Sequence, residues 1–193
     1  MIIEDGKGNG YATGVNPDNQ LLTHAVTLDA MDNAARKGDS YALTTDILTL
    51  TNGNIENGFF YILNTNPLKD LSLQRMWWSF GKASTAGDVI MRGYANPTGG
   101  TLLTAGVPLT FHQRNLGSRF VAQATAYRLN TMAQTVIGGT LIMTRVFQDQ
   151  QVEDVVSGLM IPAGSALAFT IAAPTGSTSM RASLSVAIYF LER

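Results

Sequence analysis

The feature that most constrains this chain is a two-residue alternation of side chains that recurs between turn signals. Near the C-terminus, Leu184, Val186, Ile188 and Phe190 alternate with Ser183, Ser185, Ala187 and Tyr189. A period of two places each set on one face of an extended strand. Leu167, Phe169, Ile171 and Ala173 alternate in the same way with Ala166, Ala168, Thr170 and Ala172. Met76, Trp78 and Phe80 share a face of a third strand, and Leu141, Met143 and Phe147 line a fourth. Phe59–Leu63 is apolar on both faces, as a central strand is. Thr44–Thr51, Val89–Ala95, Leu109–His112 and Ala122–Leu129 are weaker strand candidates. Turn signals separate these runs at Asn52-Gly53, Asn57-Gly58, Asn96–Gly100, Gly138-Gly139, Pro162–Gly164 and Pro174–Gly176. About eight or nine short strands with no alternating long helices predict a mainly β fold, an antiparallel β-sandwich or jelly roll.

Residues 1–40 read differently. Gly6, Gly8, Gly10 and Gly14 alternate with polar residues, and Asn16-Pro17-Asp18-Asn19 is a turn signal. Glycine at this spacing cannot pack a core, which predicts an extended N-terminal arm over Met1–Thr23. A short helix is expected from Thr27, with Leu28, Met31 and Ala35 on one face and Gly38 at its end. The expected organisation is therefore an arm with one short helix over 1–40 and a sandwich over 41–193.

Charged residues make up only 14% of the 193, well below the usual quarter. So few charges fit a surface that is covered in an assembly. Net charge is −1 and the cations form no block, so no nucleic-acid partner is expected. Cysteine is absent, which removes disulfides and thiolate metal sites. No apolar run reaches the roughly 18 residues that a membrane helix needs. Met1–Gly14 also lacks the apolar core of a secretory signal, so no membrane partner is expected.

The residues offer little chemistry. His24 and His112 are the only histidines, and neither has a carboxylate or second histidine at ligand spacing. Glu4-Asp5 and Glu153-Asp154 are adjacent pairs whose members point opposite ways on a strand, a poor acid–base dyad. Gln148–Asp154 reads as an exposed loop that matches no calcium-loop spacing. Gly6–Gly10 lacks the preceding strand and the Gly-Lys-Ser/Thr ending of a phosphate loop. No enzyme activity, metal or cofactor is expected. Trp77-Trp78 should divide between core and surface, with Arg75 on the side of Trp77 and able to stack on it.

Two stretches carry a resemblance. One runs from Ile3-Glu4-Asp5-Gly6-Lys7-Gly8-Asn9-Gly10 through Val15-Asn16 to Asn19–Thr27. The other runs from Ile161–Phe169 through Pro174-Thr175-Gly176 to Met180–Phe190. Together they resemble tailed-bacteriophage virion structural proteins of the jelly-roll capsid decoration or cement type. The resemblance implies a homotrimer on the capsid surface, made in the host cytoplasm, whose partners are itself and the major capsid protein or other virion proteins. The arm would hold a neighbour through Ile2, Ile3, Tyr11, Leu21 and Leu22, and Trp77 with Arg75 would offer an exposed aromatic contact. A baseplate or tail accessory protein fits the same residues. A carbohydrate-binding sandwich using Trp77 or Trp78 with Tyr94 is the reading from a different class.

Overall fold

The computed structural model describes residues 2–4, 12–14, 30–50, 55–130, 133–148 and 150–192. The chain divides into two compact units, Met1–Ala30 and Met31–Arg193. In the first, β1 (Ile2–Glu4) pairs antiparallel with β2 (Ala12–Gly14). Thr27 and Leu28 lie outside the described residues, as do Tyr11, Leu21 and Leu22.

Helix α1 (Ala30–Lys37) precedes β3 (Ser40–Thr44), β4 (Leu48–Leu50), β5 (Asn57–Asn64), β6 (Lys69–Phe80) and β7 (Asp88–Ala95). A second helix, α2 (Thr101–Ala105), follows, with β8 (Val107–Pro108), β9 (His112–Gln113) and β10 (Ala124–Arg128). The chain then runs through β11 (Thr140–Gln148), β12 (Val152–Ile161), β13 (Ala166–Ala172) and β14 (Met180–Glu192). Helix α1 ends where expected: Gly38 takes φ +79°, and its N–H donates to Ala35 O at 3.1 Å.

The strands form two antiparallel sheets, so the mainly β sandwich expected from the alternation is what the chain adopts. One sheet has the order β11-β7-β13-β5-β10-β8. The other has the order β12-β6-β14-β3-β9, with β4 also on β14. Counting β3, β5, β6, β7, β11, β12, β13 and β14 in chain order as first to eighth, the pairings read first-eighth-third-sixth in one sheet and second-seventh-fourth-fifth in the other. The segment between β7 and β11 is an insertion into this frame. Its β8 and β10 extend one sheet, and its β9 extends the other, so it closes the sandwich along one edge. The opposite edge, formed by β11 and β12, carries no such cover among the described residues.

Between the sheets lies an aromatic core centred on Trp78. Its ring stacks with Phe80 at 6.0 Å, meets Phe59 at 5.7 Å and takes Phe169 edge-on at 5.6 Å. Phe80 reaches across to Phe147 at 4.9 Å. Each such pair adds about 0.5–1.5 kcal/mol to the burial of its surface. Strand β6 serves this core only because it changes phase. Leu71 and Leu73 point inward, and so do Met76, Trp78 and Phe80, although the two sets differ by an odd step. The ladder to β14 shifts between Ala187 and Ile188, leaving Gln74 as the extra residue of a bulge.

Three expectations are corrected. Leu141 does not share the inward face of Met143 and Phe147: the ladder to β7 shifts between Leu141 and Met143, and Leu141 is exposed. Gln148–Asp154 is not a loop throughout, because β12 begins at Val152; Glu153 and Asp154 sit on an edge strand, where polar side chains are tolerated. Asn57-Gly58 is not a turn but the buried start of β5. A Cβ on Gly58 would lie 3.0 Å from Val136 and 3.1 Å from Leu102 of α2, so this glycine serves a close approach.

The indole Nε1 of Trp78 is buried without a hydrogen-bond partner. Trp78→Ala should therefore cost about 3–5 kcal/mol by cavity formation. Trp78→Phe should cost far less, since it keeps a ring and removes the unpaired donor. Denaturant unfolding midpoints at unchanged slope test this, and equal losses in the two variants would contradict it.

Candidate interaction surfaces

The outer face of the sheet holding β6 presents Trp77. Alternation on β6 turns it away from buried Trp78, leaving it 38% exposed. The Arg75 guanidinium lies 6.0 Å from the Trp77 ring centroid, and its Nη2 stands 3.5 Å from Asp154 Oδ2 on β12. The expected Arg75–Trp77 contact is thus present. The expected partner rings do not join it: Trp78 is core, and Tyr94 belongs to the other sheet.

On that other sheet a polar knot forms around Glu56, just before β5. Its Oε1 accepts from the Tyr94 hydroxyl at 2.9 Å and from the Thr170 hydroxyl, and its Oε2 accepts from Arg92. A cleft of about 660 Å³ beside it is lined by Glu56, Asp88, Ile90, Arg92 and Thr175. The carboxylate is engaged on both oxygens and ties the lead-in of β5 to β7 and β13, so it acts as a clamp between strands. Nothing local in the sequence marks it, because its partners lie 36, 38 and 114 residues away.

The sequence reading also missed the segment from β9 to β10, at the edge closed by the insertion. Gln113 Nε2 donates to Gly38 O and to Phe120 O, each at 2.8 Å, which pins this segment to the end of α1. Leu116 is 95% exposed, Phe120 67% and Val121 84%. Phe120 and Val121 form a ridge between two clefts of about 440 and 360 Å³. Lys37, Leu68 and Lys69 line the first cleft, and Leu109, Phe111 and Tyr127 line the second.

The opposite edge is apolar as well. Val146 on β11 and Val152 on β12 are exposed, and Ile142 and Met160 help line a cleft of about 150 Å³. The ladders shift in both edge strands, between Leu141 and Met143 and between Val156 and Leu159. Such bulges blunt backbone pairing with another sheet edge, so contact here would be made through side chains.

Ile2 and Ile3 lie on β1, whereas Tyr11, Leu21, Leu22 and His24 fall outside the described residues. His112 is exposed on β9. Among the described residues, no group of three His, Cys, Asp or Glu is placed to hold a metal ion, and no helix is long and apolar enough to cross a membrane. No protein-family model and no curated protein matches the chain.

Three tyrosines are held above the ordinary value of about 10. Burial raises Tyr41, with the charge of Asp39 adding to it and a hydrogen bond to Gln113 opposing. Burial and Tyr127 raise Tyr61. Burial, then the hydrogen bond to Glu56 and its charge, raise Tyr94 against Arg92. The folded chain keeps these protons longer than the unfolded chain. Their contribution is therefore complete below the unfolded pKa, near pH 10, and is lost as pH climbs through the raised values. Phenolate absorbance should show Tyr41, Tyr61 and Tyr94 titrating later in the native protein than in denaturant. Coincident titration in both states would contradict the burial argument.

Proposed function

We propose that this chain is a non-enzymatic structural module of a tailed-phage particle, a capsid decoration or cement protein that acts as a homotrimer on the capsid surface. The observation that carries an assembly role is the placement of exposed apolar side chains. Leu116, Phe120 and Val121 stand at one edge, and Leu141, Ile142, Val146, Val152 and Met160 at the other, with Ile47, Ile55, Trp77 and Ile137 elsewhere, in a sandwich in which only 14% of residues are charged. Contiguous exposed apolar surface rimmed by polar residues is characteristic of protein–protein contact. The phage assignment rests on the resemblance of the two ends of the chain. The pairing order, first-eighth-third-sixth and second-seventh-fourth-fifth, supports reading the sandwich as the jelly roll that this resemblance implies. The N-terminal residues would serve as the arm, anchored by Ile2, Ile3, Tyr11, Leu21 and Leu22. The same module would serve at a baseplate or tail.

Exposed Trp77 under Arg75 favours a second reading, a carbohydrate contact. It competes poorly, because one ring without a neighbouring ring offers a single stacking surface.

Sedimentation velocity at micromolar concentration separates the two. The assembly reading expects a compact trimer of 20.7 kDa chains that survives Trp77→Ala. A monomer that loses glycan binding with the same substitution would replace it with the carbohydrate reading.

A further inference from the structure

The two apolar edges differ in charge, and that difference indicates how copies would meet. At the insertion edge, Leu116, Phe120 and Val121 are bordered by the exposed cations Arg36, Lys37, Arg114 and Arg119 and by one exposed acid, Asp32 of α1, while Asp39 is held by Lys69 at 2.6 Å. At the β11–β12 edge, Val146 and Val152 are bordered by exposed Asp88 and Asp154 and by half-buried Glu153. Three cations stand there too: exposed Arg145, exposed Lys82 just past β6, and Arg75, which is bridged to Asp154. The first edge is therefore predominantly cationic, whereas the second holds acids and cations in equal number.

We propose that the occupant of each edge is a second copy of this chain, joined head to tail, with the Phe120–Val121 ridge of one copy seated against the β11–β12 edge of the next. This rests on the assembly reading above and assigns its interface. A two-fold contact through the first edge joins cations to cations and loses affinity and encounter rate for that reason. A head-to-tail contact instead brings those cations to Asp88, Glu153 and Asp154 around two apolar centres. Because the patches lie at opposite edges of each sheet order, the contact is heterologous, and it generates a ring when its rotation closes. The bulged edge strands keep the contact to side chains, as a rigid ridge against an apolar edge requires.

Charge reversal on the full chain tests this. Lys37→Glu with Arg119→Glu alters the insertion edge, and Asp88→Lys with Asp154→Lys alters the other. Each pair alone should raise the self-association constant for dissociation on the order of tenfold, with the melting temperature unchanged. All four together should restore association, because the signs are exchanged and remain complementary. Phe120→Ser, which adds no charge, should weaken association without rescue by any of them. Association that ignores both reversals, or that the fourfold variant fails to restore, overturns the head-to-tail interface while leaving assembly intact. A wild-type chain that is monomeric at micromolar concentration overturns the assembly reading itself, and this interface with it.

Discussion

The contact between the two sheets at Trp78 is the constraint on which the rest of the structure depends. One indole touches Phe59 and Phe169 from the facing sheet and Phe80 from its own strand. Burying a large aromatic side chain contributes roughly 1.5–3 kcal/mol. The cluster can form only if both halves of β6 face inward, and Gln74 makes that possible by absorbing the odd step between Leu73 and Met76. The same choice fixes the outside. With Trp78 in the core, Trp77 must face outward, where Arg75 lies beside it and Asp154 steadies Arg75.

A sandwich held this way still has two open edges. The insertion between β7 and β11 closes one of them, sending short strands to both sheets and packing Leu109 and Phe111 against the core. That closure carries Phe120 and Val121 outward on a segment braced by Gln113 and Gly38. A Cβ on Gly38 would come within 2.6 Å of Phe120, so the left-handed glycine that ends α1 also makes room for the ridge. At the other edge the bulges in β11 and β12 discourage indiscriminate strand pairing while leaving apolar side chains in the open.

The sequence made the sandwich legible wherever a strand kept one phase. The apolar sets of β13 and β14 announce their strands directly, and Phe59–Leu63 declares a central strand because both faces of β5 are covered, one by the core and one by α2. Legibility failed where a bulge interrupted the period. Leu71 and Leu73 were not joined to Met76, and Leu141 was assigned the wrong face. It also failed where polar residues occupy an edge strand, as at Glu153 and Asp154. Of the surface, Trp77 and Arg75 were readable from alternation alone. The Glu56 clamp and the Phe120 ridge were not, because each depends on residues brought together from distant strands or on a loop whose exposure no local pattern encodes.

The central claim is that the two edges of the sandwich, and not its faces, are the surfaces through which copies assemble. Hydrogen exchange on the full chain, measured as protein concentration is raised, tests it most directly. Amides of the segment between β9 and β10 and of β11 and β12 should gain protection together as concentration rises, while those around Trp77 on β6 remain unchanged. Protection that does not depend on concentration, or that appears around Trp77 instead, would contradict the account.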